Sequence, residues 1–423
     1  METPSLHEIF LNSTGVDTDT RKIRKDSLFF ALKGANFNAN EFAAEALERG
    51  ASYAVIDDPR YALDGRYILV EDSLQSLQDL AKFHRQFLGI PIVGLTGSNG
   101  KTTTKELIRE VLSTKYHTSA TKGNLNNHIG VPLSLLAMDQ KVEIGIIEMG
   151  ANHRGEIAFL TEIAQPDLGY ITNFGKAHLE GFGGYEGVIQ GKSELYDYLK
   201  KQEKTLILNN DDPIQQQQEN YEDTLSFGST LEADVNVEYL KVEQFARIKV
   251  NGVEINSNLI GRYNAPNIAA AVTIGHFFKV PFSEAKRAIE AYIPTNNRSQ
   301  IIDKAGVKII LDAYNANPTS MSAALDNLMN RQELYKIVVL GDMFELGPTS
   351  SDEHQAIVDR LAQSDIHQVI LVGEHFFRTK NTKDFRKFKT VEALKEHFAS
   401  FLEPGGVVLI KGSRGMALER VLE

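Results

Sequence analysis

The chain has 423 residues, 42% hydrophobic and 24% charged, with a formal net charge of −11 and neither Cys nor Trp. At roughly 100–200 residues per domain that length suggests two to four soluble globular domains. The missing cysteines exclude a disulfide framework, a thiolate metal site and a Cys nucleophile. The acidic balance argues against bulk binding to nucleic acid or an anionic membrane, yet leaves room for a local basic pocket that takes an anionic small molecule. No apolar run approaches the about 18 residues that span a bilayer, and the start lacks a secretory pattern. A cytoplasmic protein with no nucleic-acid partner and no membrane insertion is expected.

In chain order, residues 27–32 read as a strand and 41–49 as a helix stopped by Gly50. Strands follow at 53–56 and 67–70. Residues 73–85 carry Leu74, Leu77, Leu80, Ala81 and His84 on one face, an amphipathic helix. Leu88-Gly89-Ile90-Pro91 marks a domain break. Residues 92–96 form a short buried strand, followed by a Gly-rich turn and a helix with Leu107, Ile108, Val111 and Leu112 on one side. Strands at 143–148, 168–172 and 205–208 alternate with helices, the pattern of a parallel sheet covered on both faces. Gln215 to Gln218 read as a solvated polar loop, 225–260 as a small antiparallel insert, and Asn264-Ala265-Pro266-Asn267 as a helix start. Strands at 307–311, 337–340, 369–372 and 407–410 each run into a polar or glycine turn, the edge where open α/β sheets bind ligands.

Thr96-Gly97-Ser98-Asn99-Gly100-Lys101-Thr102-Thr103 lies between a strand and a helix. Small residues there let backbone N–H groups close around phosphate oxygens, and the helix N-terminus adds positive potential. Lys101 can offset β/γ-phosphate charge, and Thr102 can offer its hydroxyl to Mg²⁺. The full G-x-x-x-x-G-K-[ST] pattern would need Gly where Leu95 stands, so only the shorter G-x-x-G-K-T core remains. An ordinary glycine turn is the bland alternative; the Lys-Thr-Thr run and its flanks favour nucleotide binding.

Three further residues attract attention. Glu148 ends a strand beside this loop, where an NTPase holds Mg²⁺ directly or through water, although Asp is the commoner choice and a solvated acid is the alternative. His178 lies just past another strand; a lone His is more often structural, and Mg²⁺ prefers oxygen. Lys192 shares an apolar helical stripe with Val188, Leu195 and Leu199. Either it snorkels, or desolvation lowers its pKa from about 10.4 toward about 5–6. A neutral amine of that kind reacts with CO₂ to give a carbamate.

Together these residues resemble the ATP-dependent Mur ligases over nearly the whole chain. Thr96–Thr103 is similar to the family's T-G-[ST]-N-G-K-T-[ST] loop, and Glu148-Met149-Gly150, Asn173 through His178-Leu179-Glu180, and Gly191-Lys192-Ser193-Glu194 follow in the family order. Gly123 through Pro132, Glu148 through His153, Tyr314-Asn315-Ala316-Asn317-Pro318, Gly341-Asp342-Met343 and Lys411 through Met416 resemble the members that add D-alanyl-D-alanine. The D-N-P-R tetrapeptide of diaminopimelate-adding members does not occur.

The resemblance implies an α/β chain of three domains. Residues 1–88 form a small α/β domain that binds the UDP-sugar, 89–297 a central P-loop-type parallel-sheet ATPase domain, and 298–423 a Rossmann-like ligase domain. It implies that ATP is held by Gly97, Ser98, Asn99, Gly100, Lys101, Thr102 and Thr103, with Asn267, Arg298 and Asp312 closing on the adenosine. Two Mg²⁺ ions are implied, on Thr102, Glu148, His178 and a carbamylated Lys192; Lys101, Glu148, His178 and Lys192 form the catalytic set. Substrate contacts fall to Thr20, Arg21 and Lys33 in the first domain, to Asn126, Asn127 and His153, and to Tyr314 and Asn317. The implied partners are UDP-N-acetylmuramoyl-tripeptide and D-alanyl-D-alanine, with a monomer expected, and domain closure over hinge residues Pro294-Thr295-Asn296-Asn297.

Two departures stand out. Leu311-Asp312-Ala313-Tyr314 replaces D-D-S-Y, and Asn38-Ala39-Asn40 replaces an Asp-Ala/Gly-His segment. A sister ligase with another amine substrate, including a folate-glutamate type, and a P-loop ATPase without ligation are the competing readings.

Overall fold

The computed structural model describes residues 1–218, 220–241, 244–294, 300–304, 306–380 and 383–423. Arg298, the expected boundary at residue 297 and the hinge residues Thr295, Asn296 and Asn297 lie outside the described residues.

The first sheet is all parallel, in the order Val16–Asp17, Leu28–Phe30, Tyr53–Ile56, Tyr67–Leu69. Alternation of side chains across a strand feeds two cores. Leu28, Phe30 and Val55 join Leu6 and Leu77 from helices Thr3–Leu11 and Ser73–Leu88. Phe29, Ala31 and Ile56 join Ala43 and Ala46 from the helix Ala43–Glu48. The Asn38-Ala39-Asn40 departure has a structural use here. Asn40 Nδ2 donates to Asp57 Oδ1 at 2.8 Å and its Oδ1 accepts from Asp57 N at 3.1 Å. The two amides thus tie the loop to the end of a strand.

The helix Ser73–Leu88 is capped by Asp72 and ends at Gly89, whose φ of 62° only glycine adopts cheaply. Its far face binds the next domain. Gln78 Nε2 donates to His128 O at 2.9 Å, and Arg85 reaches Asp167 at 2.7 Å. His84 sits between His7 (3.0 Å) and Met138 O (2.8 Å).

The central sheet has nine strands, in the order Val253–Ile260, Phe245–Val250, Val235–Tyr239, Thr224–Gly228, Thr205–Asn209, Leu168–Ile171, Ile92–Thr96, Ile144–Glu148, Thr118–Ala120. The expected antiparallel insert is corrected in part. Thr224–Gly228 and Val235–Tyr239 continue the sheet in parallel, and only the last two strands turn antiparallel. The expected solvated loop is also corrected. Pro213–Gln216 is a short helix capped by Asp212, and Gln215 is fully buried. Its amide donates to Ile171 O and accepts from Asn209 N, both at 2.9 Å, closing the ends of two adjacent strands. Composition cannot reveal such a side chain, because it stands in for a missing backbone partner.

The third sheet runs Gln300–Lys304, Val307–Asp312, Val407–Lys411, Lys336–Gly341, Gln368–Val372, Arg386–Phe388, with only the first pair antiparallel. The four expected strands are there, each slightly longer. The edge strands Gln300–Lys304 and Arg386–Phe388 are polar and half exposed, so they carry little hydrophobic signal. Among the described residues no helix is long and apolar enough to cross a membrane.

Replacing Gln215 with Leu strands one buried acceptor and one buried donor. It should lower stability by about 2 kcal/mol, read as a fall in the urea midpoint; an unchanged midpoint would contradict this role.

Candidate active site

The phosphate loop leaves the middle of the central sheet. Ile92–Thr96 is flanked by Leu168–Ile171 and Ile144–Glu148, so the loop emerges between two other strand ends. Gly97 has φ 136°, and a Cβ there would fall 2.1 Å from Thr172 Oγ1; Gly100, at φ 81°, opens the helix Lys101–Leu112. Both positions therefore need glycine. The loop is stitched to the neighbouring strand end. Ser98 N donates to Asn173 O (3.0 Å), Ser98 Oγ to Gly175 O (2.7 Å), and Thr172 Oγ1 to Asn99 O (2.6 Å). Lys101 Nζ folds over the loop and donates to Gly97 O at 2.6 Å.

Glu148 is only 2% exposed. Its Oε2 accepts from Thr102 Oγ1 at 2.9 Å and its Oε1 from Asn126 Nδ2 at 2.8 Å. Two hard oxygen ligands, a hydroxyl and a carboxylate, thus stand side by side at the foot of the loop.

A cavity of about 660 Å³ opens above them. Ser98 through Thr103, Asn126, Asn127, Glu148, His178 and Asn267 line it from the central domain, and Asp312, Tyr314, Asn317 and Lys411 from the third. Lys411 is 2% exposed and donates to Asp312 Oδ2 at 2.6 Å, which orients that carboxylate. Leu311 and Ala313 are buried in the third domain's own core, so the departures from the usual motif add packing and leave Asp312 in place. Asn267 sits on the helix Ala265–Phe277 and holds Asn264 at 2.9 Å.

The structure does not bring every expected residue to this cavity. His178 lines it, but its Nδ1 lies 2.5 Å from Glu345 Oε2. That contact lowers the Glu345 carboxyl below the ordinary range. Lys192 is 1% exposed and does not line the cavity. It lies under the wall, donating to Ala151 O at 3.0 Å, with its ammonium 4.9 Å from the Phe182 ring centre. Burial pushes it well below the usual lysine range, helped by the charge of Lys101. The burial reading of Lys192 therefore prevails over snorkelling. His153 is exposed and pairs with Glu156 at 3.2 Å. Arg21 and Lys33 are in the first domain, outside the cavity lining, paired with Asp19 (2.8 Å) and Asp57 (2.9 Å); Thr20 opens a short 3₁₀ turn beside Arg21. Among the described residues no cluster of three or more His, Asp or Glu forms a ready metal site.

Sequence reasoning gave no role to Asn173, Lys411 or Glu345. All three stand inside family-like motifs, Glu345 in Glu345-Leu346-Gly347, and only the fold shows that Asn173 clamps the loop, Lys411 orients Asp312 and Glu345 meets His178.

Residues 95–275 match the Mur ligase middle domain and 297–414 the Mur ligase glutamate ligase domain. A UDP-N-acetylmuramoyl-tripeptide–D-alanyl-D-alanine ligase from Bacillus subtilis is 36% identical, over 97% of this chain and 92% of its own. The chain belongs to the Mur ligase family. A second such ligase, from Escherichia coli, is 31% identical over 96% of this chain and 92% of its own. Among solved structures, a MurF ligase from Thermotoga maritima in complex with ADP superposes with a TM-score of 0.86 at 29% identity, covering 98% of this chain and 97% of that one. MurF from Acinetobacter baumannii gives 0.89 at 29% identity, over 99% and 97%. This Mur ligase accordingly has the family's multi-domain α/β architecture and is an ATP-dependent ligase.

The lowered Lys192 has a consequence for stability. Between its folded-state pKa and about 10.5 the unfolded chain binds the extra proton, so the penalty of burying the amine shrinks as pH rises. Lys192→Met should stabilise the fold most at low pH, with the gain falling toward pH 10. Urea midpoints of both proteins across that range check this; a constant gain would show that the lysine is not depressed.

Proposed function

We propose that this chain joins D-alanyl-D-alanine to UDP-N-acetylmuramoyl-tripeptide, consuming ATP and giving the pentapeptide precursor of peptidoglycan, ADP and phosphate. The supporting observation is the single cavity lined at once by the phosphate loop and by Asp312, Tyr314, Asn317 and Lys411, on a chain that matches D-alanyl-D-alanine ligases end to end. The working form is a monomer in the cytoplasm, each chain supplying a whole site. Residues 1–88 carry the UDP-sugar subsite with Thr20, Arg21 and Lys33, 89–297 the ATPase site, and 298–423 the domain that brings the dipeptide.

Ligation needs a carboxylate to approach a triphosphate and then needs a leaving group better than oxide. The tripeptide carboxylate attacks the γ-phosphorus and ADP departs; the dipeptide amine then attacks the acyl phosphate carbonyl and phosphate departs. Lys101 and the backbone N–H groups of Gly97 through Thr103 offset charge during the first step. Asn126, Asn127 and His153 orient the peptide and its phosphate, while Asn267, Arg298 and Asp312 hold the adenosine.

The Thr102 hydroxyl and Glu148 carboxylate are the hard oxygen ligands that would hold one Mg²⁺. A bound Mg²⁺ supplies Lewis-acid neutralisation of the phosphates. Burial lowers the Lys192 amine well below the usual lysine range; the unprotonated form of such an amine takes up CO₂, and a carbamate there would offer, with His178, ligands for a second Mg²⁺.

Phosphate release measured with the tripeptide precursor and a panel of amines tests the assignment. D-alanyl-D-alanine should give the highest kcat/KM, and a higher value with any other amine would reject it. Glu148→Gln should lower kcat by on the order of 100-fold, with a raised Mg²⁺ requirement. Lys192→Ala should lose most activity and regain part of it with added short-chain carboxylic acids; full activity without them would remove the carbamate role.

A further inference from the structure

Residues 172–180 grip the phosphate loop on one side and the third domain on the other. The loop side is held through Thr172, Asn173 and Gly175, as described. On the third-domain side, Lys176 N donates to Thr319 Oγ1 at 2.9 Å, and Lys176 Nζ meets Glu353 Oε1 at 2.6 Å. Glu180 N donates to Glu345 O at 3.2 Å, and Asn317 Nδ2 donates to the loop's own Asn99 Oδ1 at 2.7 Å.

The Lys176–Glu353 pair joins two charged side chains. Glu353 lies in the first turn of the helix Ser350–Ala362, whose N-terminal potential favours a carboxylate. Its side chain is only 16% exposed and that of Lys176 48%, so the contact is partly shielded from water. The Lys176 backbone is fixed by its bond to Thr319 and by the tight turn Ala177 N to Gly175 O at 2.8 Å. Neither side chain lines the cavity. Their contact joins residues 177 apart in sequence and exists only when the third domain is docked.

We propose that Lys176 and Glu353 form a latch between the central and third domains, acting as positioning residues that set the fraction of time the third domain is docked over the phosphate loop. The proposal rests on the ligase reading above, because only there must both domains hold substrates together. A ligand gripped from both domains binds with an apparent Kd equal to its intrinsic Kd divided by the docked fraction. Weakening the latch therefore raises KM, while the chemistry within the docked enzyme is preserved.

The test compares Lys176→Glu, Glu353→Lys, the double exchange and Lys176→Arg. Each single reversal should raise KM for the dipeptide about tenfold and leave kcat within about twofold. The double exchange and Lys176→Arg should return KM to near the wild-type value. A distance readout needs no substrate: the chain has no cysteine, so Gln140→Cys and Glu396→Cys, both at exposed positions, accept a dye pair cleanly. The single reversals should add a longer-distance population that the double exchange removes. Unchanged distance and KM in the single reversals, or a double exchange as impaired as they are, overturns the latch. Wild-type protein without dipeptide-dependent phosphate release would defeat the ligase reading instead, and the dye distances would still decide the latch.

Discussion

The buried carboxylate of Glu148 is the constraint around which the rest of the molecule is arranged. An ionised acid taken out of water is costly unless its oxygens are occupied. Here a hydroxyl from Thr102 takes one oxygen and an amide from Asn126 the other. Those two groups arrive from the first turn of the helix after the phosphate loop and from the segment before Gly130–Leu136. The acid can occupy that spot only because the central strand and its neighbour run parallel and end at the same level. The same geometry sets a carboxylate and a hydroxyl side by side at the foot of the phosphate loop.

Much of this was legible in the sequence. The strand, glycine turn and helix around Lys101 are written in local chemistry, and the strands of the third domain stand out because they are buried on both faces and read as continuous apolar runs. The Lys192 stripe signalled an unusual burial, which the structure bears out. Other features were silent for physical reasons. Gln215 looks like part of a polar tract, yet its amide replaces backbone partners inside the sheet. The pairing of His178 with Glu345 joins residues on different domains, and no periodicity encodes such a contact. The separation of Lys192 from the cavity wall depends on how Ala151 and Phe182 lie over it, which is a packing outcome.

The two domain junctions share one hydrophobic core. Between the first and central domains, apolar residues such as Leu77, Leu80, Val131 and Leu135 belong to one continuous core, reinforced by Arg85 on Asp167 and by the His7–His84–Met138 chain. The same core continues into the third domain through Ala316, Met321, Met343 and Leu346, and polar contacts are added there: amide to amide, ammonium to carboxylate, imidazole to carboxylate. Apolar burial resists separation, whereas polar contacts trade readily with water.

The shared core at the first junction also bears on modular exchange. A cut after Gly89 would split a single hydrophobic interior, so a foreign first domain would have to match its shape residue by residue. A foreign third domain would meet the same interior through positions such as Met343 and Leu346, and would also have to reproduce the hydrogen-bonding positions opposite Asn99, Lys176 and Glu180. Recombination within such a scaffold therefore demands matched apolar surfaces at both junctions.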